Sequence, residues 1–325
     1  MISYERNNFF PLKKKYLTKE LNLLVKEDII FTNCKNDFYV EDISSLQNFK
    51  DNSILFLDKN KNIDISNFKN IHIYTENEIY KKNFENITIV KNLNNIYNKF
   101  LNELYFHEDQ TDFTDDFDFT NGSFISKYSD IHESTKIGKN CVISRGVKIG
   151  KNSIIKNNVT IKNSIISNNV VVSDNSSIGT TGFGFDINKR GASNLNPQIG
   201  IVFIDQNVSI GASCTIDRGK LDITYIGKNS MIDNQVHIAH NVILGDNACI
   251  AAQTGISGSV VIGKNVTIGG QAGFAGHINI GDNVIIAARS GVTKNIKDNS
   301  VVAGFPATDI KEWKKNIIKQ RNNGH

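Results

Sequence analysis

Three features are missing from this sequence, and each absence excludes a class of protein. No apolar run approaches the roughly 18 residues of a membrane-spanning helix, and the first 15 residues lack the apolar segment of a signal peptide. The four cysteines form no C-x-x-C pair, so we expect them to be free, reduced side chains that contribute to packing. The formal net charge of +4 is too small to indicate a nucleic-acid partner. We therefore expect a cytoplasmic protein with no transmembrane segment and no nucleic-acid partner.

The dominant feature that is present is a six-residue repeat. From residue 125 onward an apolar residue returns every six positions, with a slip of one after Ile161 and an interruption after Ile178, and the longest run has 12 such positions without a miss. They are Ile226, Ile232, Ile238, Leu244, Ile250, Ile256, Ile262, Ile268, Phe274, Ile280, Ile286 and Val292. A helix would repeat at three and four residues, whereas a period of six fits a short strand plus a turn.

A second, longer period of three hexads lies on top of the first. Segments that begin at Ile226, Leu244, Ile262 and Ile280 each read aliphatic-Gly-X-Asn, and each starts three hexads after the one before. Each coil therefore has three sides, and successive coils stack by parallel strand pairing around an aliphatic core. Gly and Asn fit the corners, because tight turns often need positive φ. The sequence therefore predicts a mainly β fold, the left-handed parallel β-helix of hexapeptide repeats.

The repeat divides the chain into four regions. Residues 1–106 lack the hexad and predict a small α+β domain, and the acidic segment 107–121 predicts a solvated linker. The β-helix covers 122–303, and 304–325 predicts a basic C-terminal helix. Within the N-terminal domain we expect helices at 18–26 and 93–104 and strands at 54–57, 71–74 and 87–90.

One column of side chains on the predicted prism has the composition that acyl transfer needs. Residues three hexads apart stack on neighbouring coils about 4.8 Å apart, which gives the column Asp222, His240, Gly258, Gly276. A neutral imidazole at His240 is a suitable base for an attacking amine. Asp222 would orient it, with Asp233 as a competing carboxylate. The Gly258 N–H would face the oxyanion, and Gly276 would extend a groove for a slender pantetheine arm.

Other candidates lie around this column. The 179–199 segment interrupts the repeat, and such loops often carry binding function. Its Phe183 and Phe185 would wall a ligand pocket, while Gly182 and Gly184 permit close backbone approach. His277, one place beyond Gly276, is a second candidate for substrate binding. His237 precedes an inward residue, so we expect it to be structural and to face away from His240.

Six segments of the β-helix resemble a known family, the UDP-3-O-acylglucosamine N-acyltransferases of lipid A (lipopolysaccharide) biosynthesis. They are GTTGFGF (179–185), PQIG (197–200), IGASCTIDRGKLDIT (210–224), IDNQVHIAHN (232–241), GGQAGFAGH (269–277) and SGVTKNI (290–296). The resemblance implies transfer of a 3-hydroxyacyl chain to the 2-amine of UDP-3-O-(3-hydroxyacyl)glucosamine. It also implies a homotrimer with active sites between subunits.

The same resemblance implies site residues and partners. His240 is the implied general base, with the Gly258 N–H at the oxyanion. Substrate handling falls to His277 and the 179–199 loop, and the matching segments add Gln198, Asp233, Asn234 and Gly276 as substrate-binding residues. The implied donor is acyl carrier protein, which brings the 4'-phosphopantetheine group. No metal and no resident cofactor are implied.

The N-terminal domain resembles the uridine-binding domain of that family less closely. The segments Ile43-Ser44-Ser45-Leu46 and Ile54-Leu55-Phe56-Leu57 are similar to its signature and put Phe56 beside uracil. Lys59 and Asn62 stand where the family pattern has asparagine and tyrosine.

Three alternatives remain open at the level of the sequence. The same scaffold could acylate another nucleotide-linked sugar, on nitrogen or on oxygen. A zinc enzyme would need three converging histidines, for which His237, His240 and His277 are the candidates. A solenoid without catalytic activity, which binds a ligand or partner, is the third.

Overall fold

The computed structural model describes residues 4–46, 48–57, 63–106, 115–187, 193–304 and 315–319. Its largest part is a three-faced parallel β-helix, as the two periods predict. Within the described ranges, no helix is both long enough and apolar enough to cross a bilayer.

Each face of the prism is one sheet whose strands come from successive coils. The first face contains Asp130–Ile131, Lys148–Ile149, Ser164–Ile166, Ile201–Ile204, Ile223–Ile226, Ile243–Leu244, Val261–Ile262 and Asn279–Ile280. The second contains Lys136–Ile137, Ile154–Ile155, Val171–Val172, Ser209–Ile210, Met231–Ile232, Cys249–Ile250, Thr267–Ile268, Ile285–Ile286 and Val301–Val302. The third contains Phe117–Thr120, Ser123–Ser126, Val142–Ile143, Thr160–Ile161, Ser177–Thr180, Thr215–Asp217, His237–Ile238, Gly255–Ile256, Gly273–Phe274 and Gly291–Val292.

The interior of the prism is the hydrophobic core that the hexads predict. All 12 positions of the long run are buried in one continuous cluster. Burying an aliphatic side chain of this size contributes about 1.5–3 kcal/mol, so a core that gains one such residue per strand can stabilise strands of two residues.

The corners of the prism explain the aliphatic-Gly-X-Asn segments, although one part of the prediction is wrong. Asn247 and Asn265 have φ of 58° and 57°, as expected, and the Asn247 amide donates to Asn265 Oδ1 at 2.9 Å. Gly245, in contrast, is absent from the positive-φ residues. A Cβ on Gly245 would lie 2.4 Å from the Gly263 oxygen of the next coil. Glycine is therefore required there by close backbone approach.

Two insertions interrupt the regular register of three hexads at the same corner. Ile238 pairs with Ile256, which is three hexads further along the chain. Between Ile216 and its register partner Ile238, the chain is four residues longer than three hexads. Between Ile178 and its register partner Ile216, it is twenty residues longer than three hexads. Both insertions lie in the connection between a strand of the third face and the next strand of the first face. We call this corner the His240 edge, because His240 lies in its next turn.

The N-terminal domain contains a five-stranded sheet in the order Ile29–Cys34, Asn86–Val90, Ile71–Thr75, Ser53–Leu57, Asp42–Ser44. The first two strands are antiparallel and the other pairs are parallel. Its elements are β1 (Tyr16–Leu17), α1 (Thr18–Leu24), β2 (Ile29–Cys34), β3 (Tyr39–Val40), β4 (Asp42–Ser44), β5 (Ser53–Leu57), β6 (Ile71–Thr75), β7 (Asn86–Val90) and α2 (Leu93–Leu104). Short 3₁₀ helices cover Arg6–Asn8, Lys26–Asp28 and Glu78–Lys82. The three strands and two helices expected from the sequence are present, and β1 to β4 are additional.

This domain packs against the His240 edge. Tyr97 of α2 shares a hydrophobic cluster with Ile199 and Ile201 of the β-helix. The buried Arg6 guanidinium donates to the carbonyl oxygens of Ile199 at 3.1 Å and Leu221 at 2.9 Å. The N-terminal segment therefore holds both insertions in place.

Two predicted boundaries differ from the structure or lie outside the described residues. Phe117–Thr120, within the predicted 107–121 linker, pairs antiparallel with Ser123–Ser126 and extends the third face. Residues 107–114 lie outside the described ranges. In the C-terminal region, residues 315–319 are helical, and the rest of the predicted helix lies outside them.

Candidate active site

His240 sits in a turn of the His240 edge, between two glycines. A Cβ on Gly258, one coil further on, would lie 2.7 Å from both Cε1 and Nε2 of the imidazole. A Cβ on Gly182, from the longer insertion, would lie 2.8 Å from the His240 Cβ. The half-buried ring therefore fits because neither neighbour has a side chain.

The hydrogen-bond partner of Nδ1 indicates which tautomer of His240 is present. The Lys220 N–H donates to Asn241 Oδ1 at 2.9 Å, which identifies this atom as the amide oxygen. The same oxygen lies 3.2 Å from His240 Nδ1. An acceptor at this place requires the hydrogen on Nδ1 in the neutral ring. Nε2 is then unprotonated, on the side of the ring that faces Gly258, and can accept a proton.

The glycine column above His240 is present as predicted from the spacing. The Ser259 N–H donates to the His240 oxygen at 2.9 Å, and the His277 N–H donates to the Gly258 oxygen at 3.1 Å. A Cβ on Gly276 would lie 3.2 Å from that Gly258 oxygen. The Gly258 N–H has no acceptor among the residues that the structure describes.

Asp222 is not part of this column, which corrects the sequence prediction. Its carboxylate accepts a hydrogen bond from the Ser45 hydroxyl of the N-terminal domain. Burial raises the pKa of Asp222, while Ser45 and the Arg6 charge oppose that shift. The prediction is wrong because it counted three hexads back across a coil that contains an insertion, and the inserted segment carries Asp222 away from His240.

A groove of about 560 Å³ opens beside His240. It is lined by Phe183, His237, Ala239, His240, Gly255, Ile256, Ser257, Gly258, Gly273, Phe274, Ala275, Gly291, Val292 and Thr293. Phe183 is 77% exposed and forms one wall. Gly255, Gly273 and Gly291 are register partners on the outer surface of the third face, and a Cβ on any of them would meet nothing within 4 Å. This part of the groove floor therefore has no side chains.

His237 also lines this groove, so the expectation that it faces away from His240 is wrong. The reason is that His237 lies on a strand, whereas His240 lies in the turn that follows, where strand alternation does not apply. His237 Nδ1 is 2.7 Å from the Thr215 hydroxyl oxygen. His277 is exposed at the same edge with a φ of 61°, but it is not among the described lining residues.

The remaining predicted substrate residues of the β-helix are dispersed. Gln198 is buried, and its side chain accepts from the Gly182 N–H at 2.7 Å, so it positions the loop over His240. Asp233 and Asn234 are exposed at the corner between the second and third faces, a different corner of the same chain. The Phe185 backbone pairs with Leu195, and its side chain lies outside the described part of the structure.

Phe56 lies at a second, smaller cavity between the N-terminal domain and the shorter insertion. This cavity, about 300 Å³, is lined by Phe56, Glu76, Leu93, Asn94, Tyr97, Lys220 and Leu221. The Phe56 ring packs edge-on against Tyr97, with centroids 5.2 Å apart. Lys59 and Asn62 lie outside the described residues.

Sequence reasoning missed three parts of the site, each of which had a signal. Asn241 directly follows His240 in the motif. Gly255, Gly273 and Gly291 repeat every third hexad, one position before inward-facing residues. Asp217 lies in the strand that pairs with His237–Ile238. The spacing between Ile216 and Ile226 is not a multiple of six, which could have indicated the shifted register.

Nothing in the described ranges resembles the zinc site considered above. No group of three or more His, Cys, Asp or Glu side chains within them is placed to hold a metal ion. His277 does not join His237 and His240 at the groove.

Comparison with known proteins first gives the class. The family model described as bacterial transferase hexapeptide (six repeats) matches residues 223–258 and 259–294. A second model, the GMPPB C-terminal domain, matches residues 125–187. Together with the three-faced prism, these matches define a hexapeptide-repeat left-handed β-helix.

The particular relatives follow from the sequence comparison, which confirms the predicted resemblance. The chain is 62% identical over 142 residues to UDP-3-O-acylglucosamine N-acyltransferase of Pseudoalteromonas atlantica, covering 43% of this chain and 41% of that protein. It is 47% identical over 141 residues to the protein of the same name from Desulfotalea psychrophila, covering 43% and 41%. The matched stretch spans about two fifths of the length of these curated relatives.

A solved structure has the same fold. The UDP-N-acetylglucosamine acyltransferase of Francisella novicida matches with a TM-score of 0.52 and 25% sequence identity. The match covers 61% of this chain and 72% of that one.

Proposed function

We propose that this protein is an N-acyltransferase of lipid A biosynthesis. It moves a 3-hydroxyacyl chain from acyl carrier protein to the 2-amine of UDP-3-O-(3-hydroxyacyl)glucosamine. The observation that carries the proposal is the His240 imidazole, which lies between two glycines with Nε2 beside Gly258, at the edge of a groove whose floor has three glycines in register. The names of the relatives support the choice of acceptor and reaction.

The proposed reaction uses His240 as general base. The acceptor amine attacks the thioester carbonyl, and His240 Nε2 takes the proton that the amine loses. The Gly258 N–H donates to the oxyanion that forms. When the intermediate collapses, the carbon–sulfur bond breaks, and the thiolate takes the proton back from His240. The products are an amide and a thiol.

The two cavities suit the two substrates. The donor arm, 4'-phosphopantetheine on acyl carrier protein, would lie over Gly255 and Gly273 with Phe183 at its side. Gly276 and His277 extend that path along the edge. The uridine of the acceptor would enter the smaller cavity at Phe56 and Tyr97. The reaction needs no metal and no resident cofactor beyond the group on the donor.

We further propose a homotrimer in the cytoplasm. Support comes from apolar side chains that are exposed on the second face: Met231 at 62%, Ile285 at 48% and Val301 at 74%. Packing subunits on this face would cover them. It would also bring the exposed corner of Asp233 and Asn234 toward a neighbouring subunit, where they could reach its substrate.

The experiment is amide formation by purified protein from 3-hydroxyacyl carrier protein and UDP-3-O-acylglucosamine, with the product identified by mass. We expect a product one 3-hydroxyacyl group heavier that resists mild alkaline ester hydrolysis at the new position. Loss of the added group under alkali would indicate O-acylation. The absence of product with this acceptor, in protein that binds acyl carrier protein, would refute the proposed acceptor.

A further inference from the structure

A buried carboxylate lies one strand below the groove and has no part in the reaction described so far. Asp217 ends the strand Thr215–Asp217, which pairs with His237–Ile238. The residue is 6% exposed. Its Oδ1 accepts from the Thr180 hydroxyl at 3.0 Å, and its Oδ2 lies 3.8 Å from His237 Nε2.

The imidazole of His237 is fixed in the orientation that this contact needs. The Thr215 hydroxyl oxygen lies 2.7 Å from His237 Nδ1, on the ring edge away from Asp217. The His237 side chain is 48% exposed toward the groove. Thr215 and Asp217 therefore lie next to the two different ring nitrogens of His237, and about half of the side chain stays exposed.

The charged groups around Asp217 leave the two imidazoles as its main partners. Burial raises the pKa of the Asp217 carboxyl, and the His237 charge, the Thr180 hydroxyl, the His240 charge and the Arg218 charge oppose that shift, in decreasing order. Arg218 is adjacent, but its guanidinium donates to the Gln198 oxygen at 3.0 Å and the Gly179 oxygen at 3.1 Å.

We propose that Asp217 is a positioning residue of this site: it holds His237 at the groove wall and stabilises the positive charge that His240 gains with its proton. The proposal rests on the function proposed above. Attraction between two charges is reciprocal, so a carboxylate that is stabilised by an imidazolium stabilises that imidazolium equally. His240 becomes positive when it takes the amine proton, and the Asp217 carboxyl lies one coil before it, in the strand that pairs with His237–Ile238.

The test is Asp217→Asn, which removes the charge and keeps the shape. With ¹³C-labelled histidine, we would follow the imidazole resonances of wild type and variant from pH 5 to pH 9, assigned through His237→Gln and His240→Gln. We expect the transitions of His237 and His240 to move to lower pH by about 1 unit. Asp246→Asn is the matched control, because Asp246 pairs with Lys228 and Lys264 on another corner; it should move neither transition.

Kinetics give a second readout. In Asp217→Asn we expect kcat to fall roughly tenfold with little change in KM for the acceptor, because Asp217 does not touch the substrate. The acidic limb of the rate profile should move to lower pH with the imidazole transitions. A purely structural role would change activity without that movement.

Two outcomes would overturn the proposal. One is imidazole transitions that coincide in wild type and Asp217→Asn. The other is measured on the wild type alone. The chemical shift of Asp217 Cγ should change over the pH range in which the imidazoles titrate, and a chemical shift that stays constant there would contradict the contact. Because these measurements need no turnover, shifted transitions in a protein that acylates nothing would refute the proposed function and leave the Asp217 assignment intact.

Discussion

At the scale of single residues, the site depends on two glycines that make room for one imidazole. Gly182 comes from an insertion and Gly258 from the regular repeat, and either Cβ would overlap His240. The imidazole of His240 is therefore positioned by the absence of side chains on both sides and by Asn241 next to its Nδ1.

Gly258→Ala tests this arrangement. The new Cβ would lie 2.7 Å from the imidazole and displace it, so we expect the rate of amide formation to fall at least about 10²-fold. The fold should persist, because the backbone at Gly258 is not in the positive-φ region. Gly304→Ala is the control, since a Cβ there meets nothing within 4 Å. Normal turnover by Gly258→Ala would mean that His240 does not need its present position.

His72 gives a prediction on stability. Burial lowers its pKa to about 4, against the charge of Asp37. Its Nε2 lies 2.8 Å from the Thr88 hydroxyl, while Nδ1 has no partner within the described residues. The unfolded pKa is about 6.5, so the unfolded chain binds the proton more readily. Stability is then complete above about pH 6.5 and decreases as the pH falls toward 4, by up to about 3 kcal/mol.

Denaturant unfolding of wild type and His72→Gln between pH 4 and pH 8 checks this dependence. The free energy of unfolding of the variant should fall less steeply below pH 6.5, because one titrating group has been removed. Parallel curves for the two proteins would show that His72 is not held neutral by the fold.

At the scale of elements, two-residue strands are stabilised by the residues that form the turns between them. The asparagines at one corner adopt positive φ and join their amides along the prism: Asn229 donates to Asn247 at 3.0 Å, and Asn265 to Asn283 at 3.0 Å. These positions combine a backbone requirement with a side-chain hydrogen bond.

Substitutions at Asn265 separate the two contributions. Asn265→Gly keeps the backbone conformation and loses the amide bonds, which we expect to cost about 1 kcal/mol. Asn265→Ala loses the bonds and also strains a φ of 57°, which adds roughly 1 kcal/mol. Thermal unfolding of both variants measures the difference. Equal stability of the two would show that positive φ contributes nothing to the choice of asparagine.

At the scale of the whole molecule, the N-terminal domain and the β-helix meet where the repeat is broken. Arg6 connects them: it pairs with Asp42 and donates to the Ile199 and Leu221 oxygens. Burial would raise the pKa of Asp42, but the charges of Arg6 and Lys50 outweigh this and hold it below the usual value.

Arg6→Ala should therefore destabilise the protein by about 3–5 kcal/mol, because it leaves a buried carboxylate without its main partner. We also expect faster amide hydrogen exchange at 196–201 and 217–222, the segments that Arg6 fixes. Lys15→Met is the control: Lys15 pairs with Glu41 at 2.6 Å, but both side chains are about half exposed, so its loss should cost under about 1 kcal/mol. Unchanged exchange in Arg6→Ala would show that these segments hold their position alone.

The sequence predicts what repeats and is less informative where the repeat stops. The three faces, the core and the glycine column over His240 follow from the hexad and its threefold multiple. Asp222 was misplaced because a short insertion changes the register locally. The strands β1 to β4 lack the alternation that would predict them. The contact of Arg6 with Ile199 joins positions that are far apart in the chain, a separation over which local patterns are silent.

His240 is the proposed base of the amide-forming reaction. The most direct measurement is kcat/KM of His240→Ala with 3-hydroxyacyl carrier protein and UDP-3-O-acylglucosamine. The control is His132→Ala, because His132 is not a lining residue of the groove and its Nδ1 lies at hydrogen-bond distance, 2.9 Å, from the Ser134 hydroxyl oxygen. We predict a loss of at least about 10²-fold for His240→Ala and near-normal turnover for His132→Ala. Near-normal turnover by His240→Ala would contradict the account.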